Sequence, residues 1–195
     1  MASKIKALHS GAPNRVRIIG GEYRSRLLRF PPAMQLRPTP DRVRETLFNW
    51  LGQDLAARTC LDLFAGSGAL GFEAASRNAA TVVMVERDRE IFAALQENQR
   101  VLGAARTRLV HRDALEFIRE EARLTAQRYD IIFLDPPYTF GKTEELLSRI
   151  PAHLAPDGVV YREGPQFLPE SGEWVAHRSA KAGAVHYQLL KYNHG

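Results

Sequence analysis

The run Cys60-Leu61-Asp62-Leu63-Phe64-Ala65-Gly66-Ser67-Gly68-Ala69-Leu70-Gly71 constrains the fold of this chain more than any other stretch. Residues of strand character end in Asp62, glycines follow at the spacing G-x-G-x-x-G, and a helical pattern begins directly after them. Glycine there lets the chain turn tightly and lets a ligand approach the backbone, while the new helix offers free N–H groups. A second strand, Thr81-Val82-Val83-Met84-Val85, ends in Glu86. Strand, glycine turn, helix and strand make a βαβ unit, which implies a parallel sheet covered on both faces.

The alternation continues. Asp88 is placed to cap a helix carrying Ile91, Leu95 and Leu102 and ending at Gly103. A strand over Thr107-Arg108-Leu109-Val110-His111 precedes Asp113 and the helical run from Ala114 to Ile118. The strand Ile131-Ile132-Phe133-Leu134 delivers Asp135-Pro136-Pro137-Tyr138. Thr139-Phe140-Gly141-Lys142 reads as a loop, Leu146, Leu147 and Ile150 as a short helix, and Pro156-Asp157-Gly158 as a turn before a strand over 159–163. Trp174 to Arg178 and Ala184 to Leu190 bracket a turn at Lys181-Ala182-Gly183, predicting an antiparallel hairpin. His177 and His186 could face one another across it, but no third ligand accompanies them, so no metal site is expected.

Carboxylates at strand ends indicate the ligand. A dinucleotide would put its pyrophosphate near Asp62, and a negative side chain there suits an ammonium better than a phosphate. S-adenosyl-L-methionine carries an ammonium and a sulfonium and no phosphate, so it fits this acid better than NAD, although the glycine pattern by itself also suits an NAD-dependent dehydrogenase. Glu86, at the tip of the second strand, is placed to accept from ribose hydroxyls. Asp113 could cap its helix or accept from the adenine amine, with the Ala114 N–H beside it.

Asp135-Pro136-Pro137-Tyr138 is a rigid cluster of acceptors beside an aromatic face. Two prolines stop the strand, and Pro137 leaves the Pro136 carbonyl without a neighbouring N–H. An amino group on a planar ring fits: its two N–H bonds reach the Asp135 carboxylate and the Pro136 carbonyl, and its ring stacks on Tyr138.

Charge is uneven. Net charge is +5, but residues 1–58 hold 11 Lys/Arg against 4 Asp/Glu (+7), leaving 16 against 18 (−2) for residues 59–195. Within that basic front, apolar residues and arginines interleave from Val16 to Phe30. This predicts a small β-hairpin, with its turn near Arg24-Ser25 and a kink or bulge at Gly20-Gly21, or with the turn at the glycines themselves. It would present Arg15, Arg17, Arg24, Arg26 and Arg29 around an exposed Tyr23, a surface suited to RNA phosphates and unstacked bases. Residues 1–13 read as a basic leader. Residues 1–35 would then form the leader and RNA-docking hairpin, and 36–195 the catalytic domain. A helix follows, with Thr39 as N-cap, Pro40 at its first position, an apolar stripe of Val43, Leu47, Trp50 and Leu51, and Arg42, Arg44 and Glu45 off that stripe. No apolar run is long enough for a membrane span, and one cysteine, Cys60, excludes an internal disulfide, so a cytoplasmic protein is expected.

The order Asp62-x-Phe64-x-Gly66-x-Gly68, Glu86, Asp113, Asp135-Pro136-Pro137-Tyr138 resembles class I S-adenosylmethionine-dependent methyltransferases acting on exocyclic amines of nucleobases. Within that class, Arg17-Ile18-Ile19-Gly20-Gly21, Leu36-Arg37-Pro38-Thr39, the run from Asp41 to Leu51 and the run from Phe64 to Gly71 resemble the bacterial RsmD family of 16S rRNA guanine-N2 methyltransferases. The resemblance implies a Rossmann-like, mostly parallel seven-stranded sheet with a C-terminal antiparallel hairpin and an N-terminal β-hairpin extension. It also implies a partner, 16S rRNA of the small ribosomal subunit; separately, a monomer is expected. It places the methionine part of the cofactor on Asp62, Phe64, Ala65, Gly66, Ser67 and Gly68, the ribose on Glu86, the adenine on Asp113 and Ala114, the methionine carboxylate near Arg37 or Thr39, and the target base on Asp135, Pro136, Pro137 and Tyr138. Methylation of a DNA amino group and RNA binding without catalysis are the alternatives.

Overall fold

The structure, a computed structural model, describes residues 14–32, 39–124, 127–169 and 172–193. Strands β3 (Thr59–Asp62), β4 (Thr81–Glu86), β5 (Thr107–His111), β6 (Tyr129–Leu134), β7 (Leu154–Gly164), β8 (Trp174–Ala182) and β9 (Val185–Tyr192) form one sheet in the order β5-β4-β3-β6-β7-β9-β8. Pairings from β5 through β7 are parallel, and β9 joins β7 and β8 antiparallel. Successive side chains of a strand point to opposite faces, and the core divides accordingly. Cys60, Val82, Met84, Ile131 and Phe133 face one cluster, built with helices α1 (Asp41–Leu51), α2 (Ala69–Ser76) and α3 (Arg89–Leu102). Leu61, Val83, Val85, Ile132 and Leu134 face the other, built with α4 (Ala114–Leu124) and α5 (Thr143–Arg149). Strands buried on both faces explain the near-continuous apolar runs.

Local chemistry fixes the ends of α3. The Asp88 carboxylate accepts from the N–H groups of Glu90 (2.8 Å) and Ile91 (3.0 Å), and Gly103 closes the helix in the left-handed region at φ 67°. Helix α1 departs from expectation: it begins at Asp41, Pro40 holds the cap position, and Thr39 turns its hydroxyl elsewhere. Arg44, which lies off the apolar stripe, is nonetheless fully buried. Pro156-Asp157-Gly158 does not precede β7 but bulges within it, since Tyr129 pairs with Leu154 and Ile131 already with Val159. The β8–β9 turn is the two-residue Gly183-Ala184, with Gly183 at φ 61°. This register sets His186 against Lys181 and leaves His177 in a bulge, so the two histidines do not face each other.

The N-terminal strands β1 (Asn14–Arg17) and β2 (Leu27–Phe30) pair antiparallel. Ser25 takes a positive φ of 67° in the expected turn. Gly20-Gly21 acts as a docking point: a Cβ on Gly21 would lie 1.8 Å from the Ser76 carbonyl oxygen, which itself accepts from Glu22 N–H. Val16, Ile18, Leu28 and Phe30 enter the same core as α1–α3. Tyr23 does so too, and its N–H donates to Ser76 Oγ, so the aromatic expected on the RNA-facing surface is a core residue.

The anchor is Glu73 on α2. Its buried carboxylate accepts from Ile19 N–H and Gly20 N–H, both at 2.8 Å, from Arg77 Nε at 2.9 Å and from Arg44 Nη1 at 3.4 Å. Removing the anion leaves two buried guanidiniums and two amides without their partner. Glu73→Ala is expected to lower stability by about 3–5 kcal/mol, read by urea unfolding. A loss below about 1 kcal/mol, the range of an exposed ion pair, would contradict this account.

Candidate active site at the carboxyl edge of the sheet

Strand order reverses between β3 and β6. Helices α2 and α3 carry the chain outward to β5, and α4 returns it to the other side of β3, opening a crevice beyond the carboxyl ends of these strands. Asp62 ends β3 on one wall of the crevice, and Asp135 follows β6 on the other.

Asp62 is buried. Its Oδ2 accepts from Gly71 N–H at 3.1 Å, while Oδ1 is buried with no partner among the described residues. Burial pushes its carboxyl up to about 7, against the pull of the Phe64 and Gly71 amides and with a further push from the charge of Glu86. The loop beyond it is fixed by its own backbone. Ala65 N–H donates to the Val85 carbonyl, and Gly68 N–H to the Ala65 carbonyl. Gly68 stands at φ 80°, where a Cβ would meet the Phe72 ring at 2.5 Å; a Cβ on Gly71 would meet Met84 Sδ at 2.7 Å. These contacts seat the start of α2 directly over β3 and β4. Ser67 is buried within the turn, and Phe64 packs edge-on against Phe140.

Glu86 closes β4. Its Oε2 accepts from Gly66 N–H at 3.0 Å and Oε1 from Asp88 N–H at 2.8 Å. This carboxylate therefore ties the glycine loop to the turn after β4, with second lone pairs on each oxygen still to give. Asp113 Oδ1 accepts from Leu115 N–H (2.9 Å) and Glu116 N–H (3.4 Å), so it caps α4, whose first residue is the buried Ala114.

At Asp135 the structure adds partners that the sequence did not reveal. Thr39 Oγ1 lies 3.4 Å from Asp135 Oδ2 and 2.8 Å from Glu163 Oε1, and Tyr161 donates its hydroxyl to the same Glu163 oxygen at 2.7 Å. Burial, then the charges of Glu163 and Asp62, hold the Asp135 carboxyl well above the usual range. Burial also raises Glu163, opposed by the Tyr161 and Thr39 hydrogen bonds. Beyond Asp135 the Pro137 carbonyl accepts from Phe140 N–H, and Tyr138 is 72% exposed. Arg15, Arg17, Arg24, Arg26 and Arg29 are all exposed on the hairpin; Arg17 reaches Asp41 at 3.2 Å and Arg26 the Val101 carbonyl at 3.1 Å. Arg37 lies outside the described residues, as does the 1–13 leader. Among the described residues no three His, Cys, Asp or Glu are grouped to hold a metal ion, and no helix is long and apolar enough to cross a membrane.

A family model described as Conserved hypothetical protein 95 matches residues 16–191. The Escherichia coli K12 protein named ribosomal RNA small subunit methyltransferase D is 41% identical over 191 residues, covering 95% of this chain and 94% of that protein. The chain belongs to the RsmD family. A Haemophilus influenzae relative of the same name is 36% identical over 92% of this chain and 95% of its own. The solved E. coli yhhF structure superposes with a TM-score of 0.80 at 40% identity, covering 92% of this chain and 98% of that one. The Thermus thermophilus 16S rRNA N2 G1207 methyltransferase RsmC, solved with AdoMet and guanosine, gives 0.70 at 25% identity, covering 93% of this chain and 50% of that one. The class I, Rossmann-like architecture expected from the sequence is the architecture observed.

This RsmD-family edge therefore brings together Asp62, Phe64 to Gly68, Glu86, Asp113, Asp135 and Thr39. The residues missed by sequence reasoning are Glu163 and Tyr161. Glu163 obeyed the rule that selected the others, being an acid near the end of a predicted parallel strand, but only the neighbouring of β6 and β7 puts it beside Asp135.

Asp62 makes a linkage prediction. Its folded value lies above the unfolded one, so its contribution to stability is full below about pH 4 and is lost as pH rises through about 7. The loss amounts to about 4 kcal/mol at most. Asp62→Asn removes this dependence. In ligand-free protein the variant should gain thermal stability relative to wild type between pH 4 and pH 8; a difference constant across that range would count against a strained Asp62.

Proposed function

We propose that this RsmD-family chain transfers a methyl group from S-adenosyl-L-methionine to the exocyclic N2 amine of a guanine in 16S rRNA of the small ribosomal subunit. The observation that carries the reading is the pairing of two walls. An unpartnered, buried Asp62 oxygen on β3 fits the ammonium of the cofactor, and across the β3–β6 crevice Asp135 opens a proline-stiffened turn with an exposed Tyr138. The names of the E. coli and T. thermophilus relatives support the substrate class.

The chain's residues divide the work. Asp62 and the backbone of 64–68 hold the methionine part, Glu86 the ribose through its free lone pairs, and Asp113 with Ala114 the adenine edge. The methionine carboxylate is assigned to Arg37 by charge, because the Thr39 hydroxyl is committed to Glu163. Bound S-adenosyl-L-methionine supplies an electrophilic methyl on sulfur. Guanine N2 is a weak nucleophile, since its lone pair is delocalised into the ring. Asp135 and the Pro136 carbonyl accept its two N–H bonds, which favours a pyramidal nitrogen with a directed lone pair. Tyr138 stacks on the base, and Pro136 and Pro137 hold the acceptors in place, so that positioning supplies much of the acceleration. The base must leave its stack to enter the crevice, so a loop guanosine is the expected target.

The exposed arginines of the hairpin supply the sequence-independent attraction to phosphate. The assignment includes cytoplasmic location and action as a monomer. Large exposed apolar side chains among the described residues are few: Leu27 and Val101 beside the β2–α3 groove, and Tyr138, Phe167 and Val175.

The test is transfer of labelled methyl to unmodified 30S subunits, protein-free 16S rRNA and duplex DNA, with product nucleosides identified by mass. N2-methylguanosine confined to ribosomal material supports the proposal, and N6-methyladenine in DNA overturns it. Asp135→Ala should lower turnover by about 10²–10³-fold with cofactor affinity kept in a binding titration; an equal loss of affinity would refute the division between the walls. Replacing Arg24, Arg26 and Arg29 together by Gln should weaken RNA binding and reduce the slope of log affinity against log salt by about 2.

A further inference from the structure

Two carboxylates that share a hydroxyl in a half-buried site repel each other and cannot both ionise freely. The sheet forces this on Asp135 and Glu163 by placing β7 parallel beside β6, with Leu134 opposite Arg162. Among the described residues, Asp62 of β3 and Tyr161 of β7 act on the pair, and Tyr187 of β9 acts in turn on Tyr161. From α1 comes Arg44, whose Nε donates to the Thr39 carbonyl while its Nη atoms go to Asp41 and Glu73. That guanidinium fixes Thr39 and spends its charge on other acids. Tyr161, buried between Glu163, Asp135 and Tyr187, keeps its phenol proton and serves as a standing donor to Glu163.

We propose that Glu163 is a positioning residue for the transfer: it and Asp135 form one proton-sharing pair bridged by the Thr39 hydroxyl, in which Glu163 makes Asp135 a stronger acceptor for the target amine. The inference rests on the reading of Asp135 as the residue that receives that amine. With one proton on the pair, Thr39 can accept from Glu163 and donate to Asp135, leaving Asp135 as the carboxylate that meets the N–H bonds. As the nitrogen lone pair forms the new N–C bond, the methyl C–S bond breaks and leaves its electron pair on sulfur, and the nitrogen becomes positive. One N–H bond then breaks, its electron pair returns to nitrogen and its proton forms an O–H bond on Asp135. The pair is now neutral and loses one proton to water when the product leaves.

Two substitutions should move the pair in opposite directions. Glu163→Gln removes negative charge beside Asp135, so Asp135 ionises more easily and the acid limb of the single-turnover pH profile moves down. The weaker acceptor should lower the plateau about tenfold with KM for RNA little changed. Thr39→Val removes the hydrogen bonds that favour both carboxylates, so the limb moves up, and Thr39→Ser restores it. A defect in folding alone would not give opposite shifts. The second readout is the infrared carboxyl band of cofactor-free protein, titrated with pH in wild type and the same variants and compared as difference spectra, so that the contribution of Asp62 cancels. Its midpoint should follow the same directions. A Glu163→Gln profile that superimposes on wild type, or both variants shifting the same way, overturns the proposal. Should Glu163→Gln fail to fold by circular dichroism, the Thr39 pair decides it: an upward shift rescued by Ser supports, an unmoved limb overturns. Absence of methylation on any RNA would sink the proposed function while the infrared midpoints still judge the pair.

Discussion

A single buried carboxylate, that of Glu73, holds three parts of this protein in register. It sits on the helix that begins at the glycine loop, takes two backbone amides from the N-terminal hairpin, and neutralises Arg44 of α1 and Arg77 of its own helix. Arg44 in turn donates to the Thr39 carbonyl and so steers the Thr39 hydroxyl toward Glu163 and Asp135. The N-terminal hairpin, the helix that opens from the glycine loop and the threonine that bridges Asp135 and Glu163 thus share one electrostatic centre. Buried ion pairs are weak sources of net stability, but one that satisfies several elements at once sets their relative placement.

The crevice itself is a consequence of connectivity. Reversal of strand order at β3 opens a gap, and the strands on either side end in acids: Glu86 and Asp62 on one wall, Asp135 and Glu163 on the other. Gathering carboxylates in a sheltered cleft is costly in the absence of counter-charge, as the raised Asp62, Asp135 and Glu163 indicate. A cationic ligand offsets that cost. The same field disfavours phosphate, which explains in one argument why a dinucleotide is a poor fit and a sulfonium amino acid a good one.

Most of the sheet was legible because parallel strands buried on both faces need uninterrupted apolar runs, and because Asp88, Gly68 and Gly103 act on their own neighbours. What misled was decided by distant chain. Tyr23 is flanked by arginines in sequence, yet Gly21 presses its turn onto α2 and carries the ring inward. Arg44 has the spacing of a solvated position, and only the buried Glu73 makes its burial tolerable. Thr39 has the composition of a cap, but its hydroxyl found partners in Glu163, 124 residues away, and in Asp135. Asp113 did take the capping role that its position allowed. Glu163 was hidden because its partner is fixed by strand adjacency, which periodicity does not encode.

The docking of the hairpin has a consequence for how such an enzyme could change its target. Its loop is held through main-chain N–H groups of Ile19, Gly20, Glu22 and Tyr23, given to Glu73 and Ser76. Main-chain anchoring is indifferent to most side chains. The outward-facing positions Arg15, Arg24 and Arg29 can therefore be rewritten without loosening the attachment, so long as Gly21 keeps its close approach, whereas Arg26 adds a side-chain bond of its own to the Val101 carbonyl. The hairpin thus carries its outward side chains on a mount that does not depend on most of them, so the surface it presents can be edited while the chemistry beneath the mount stays as it is.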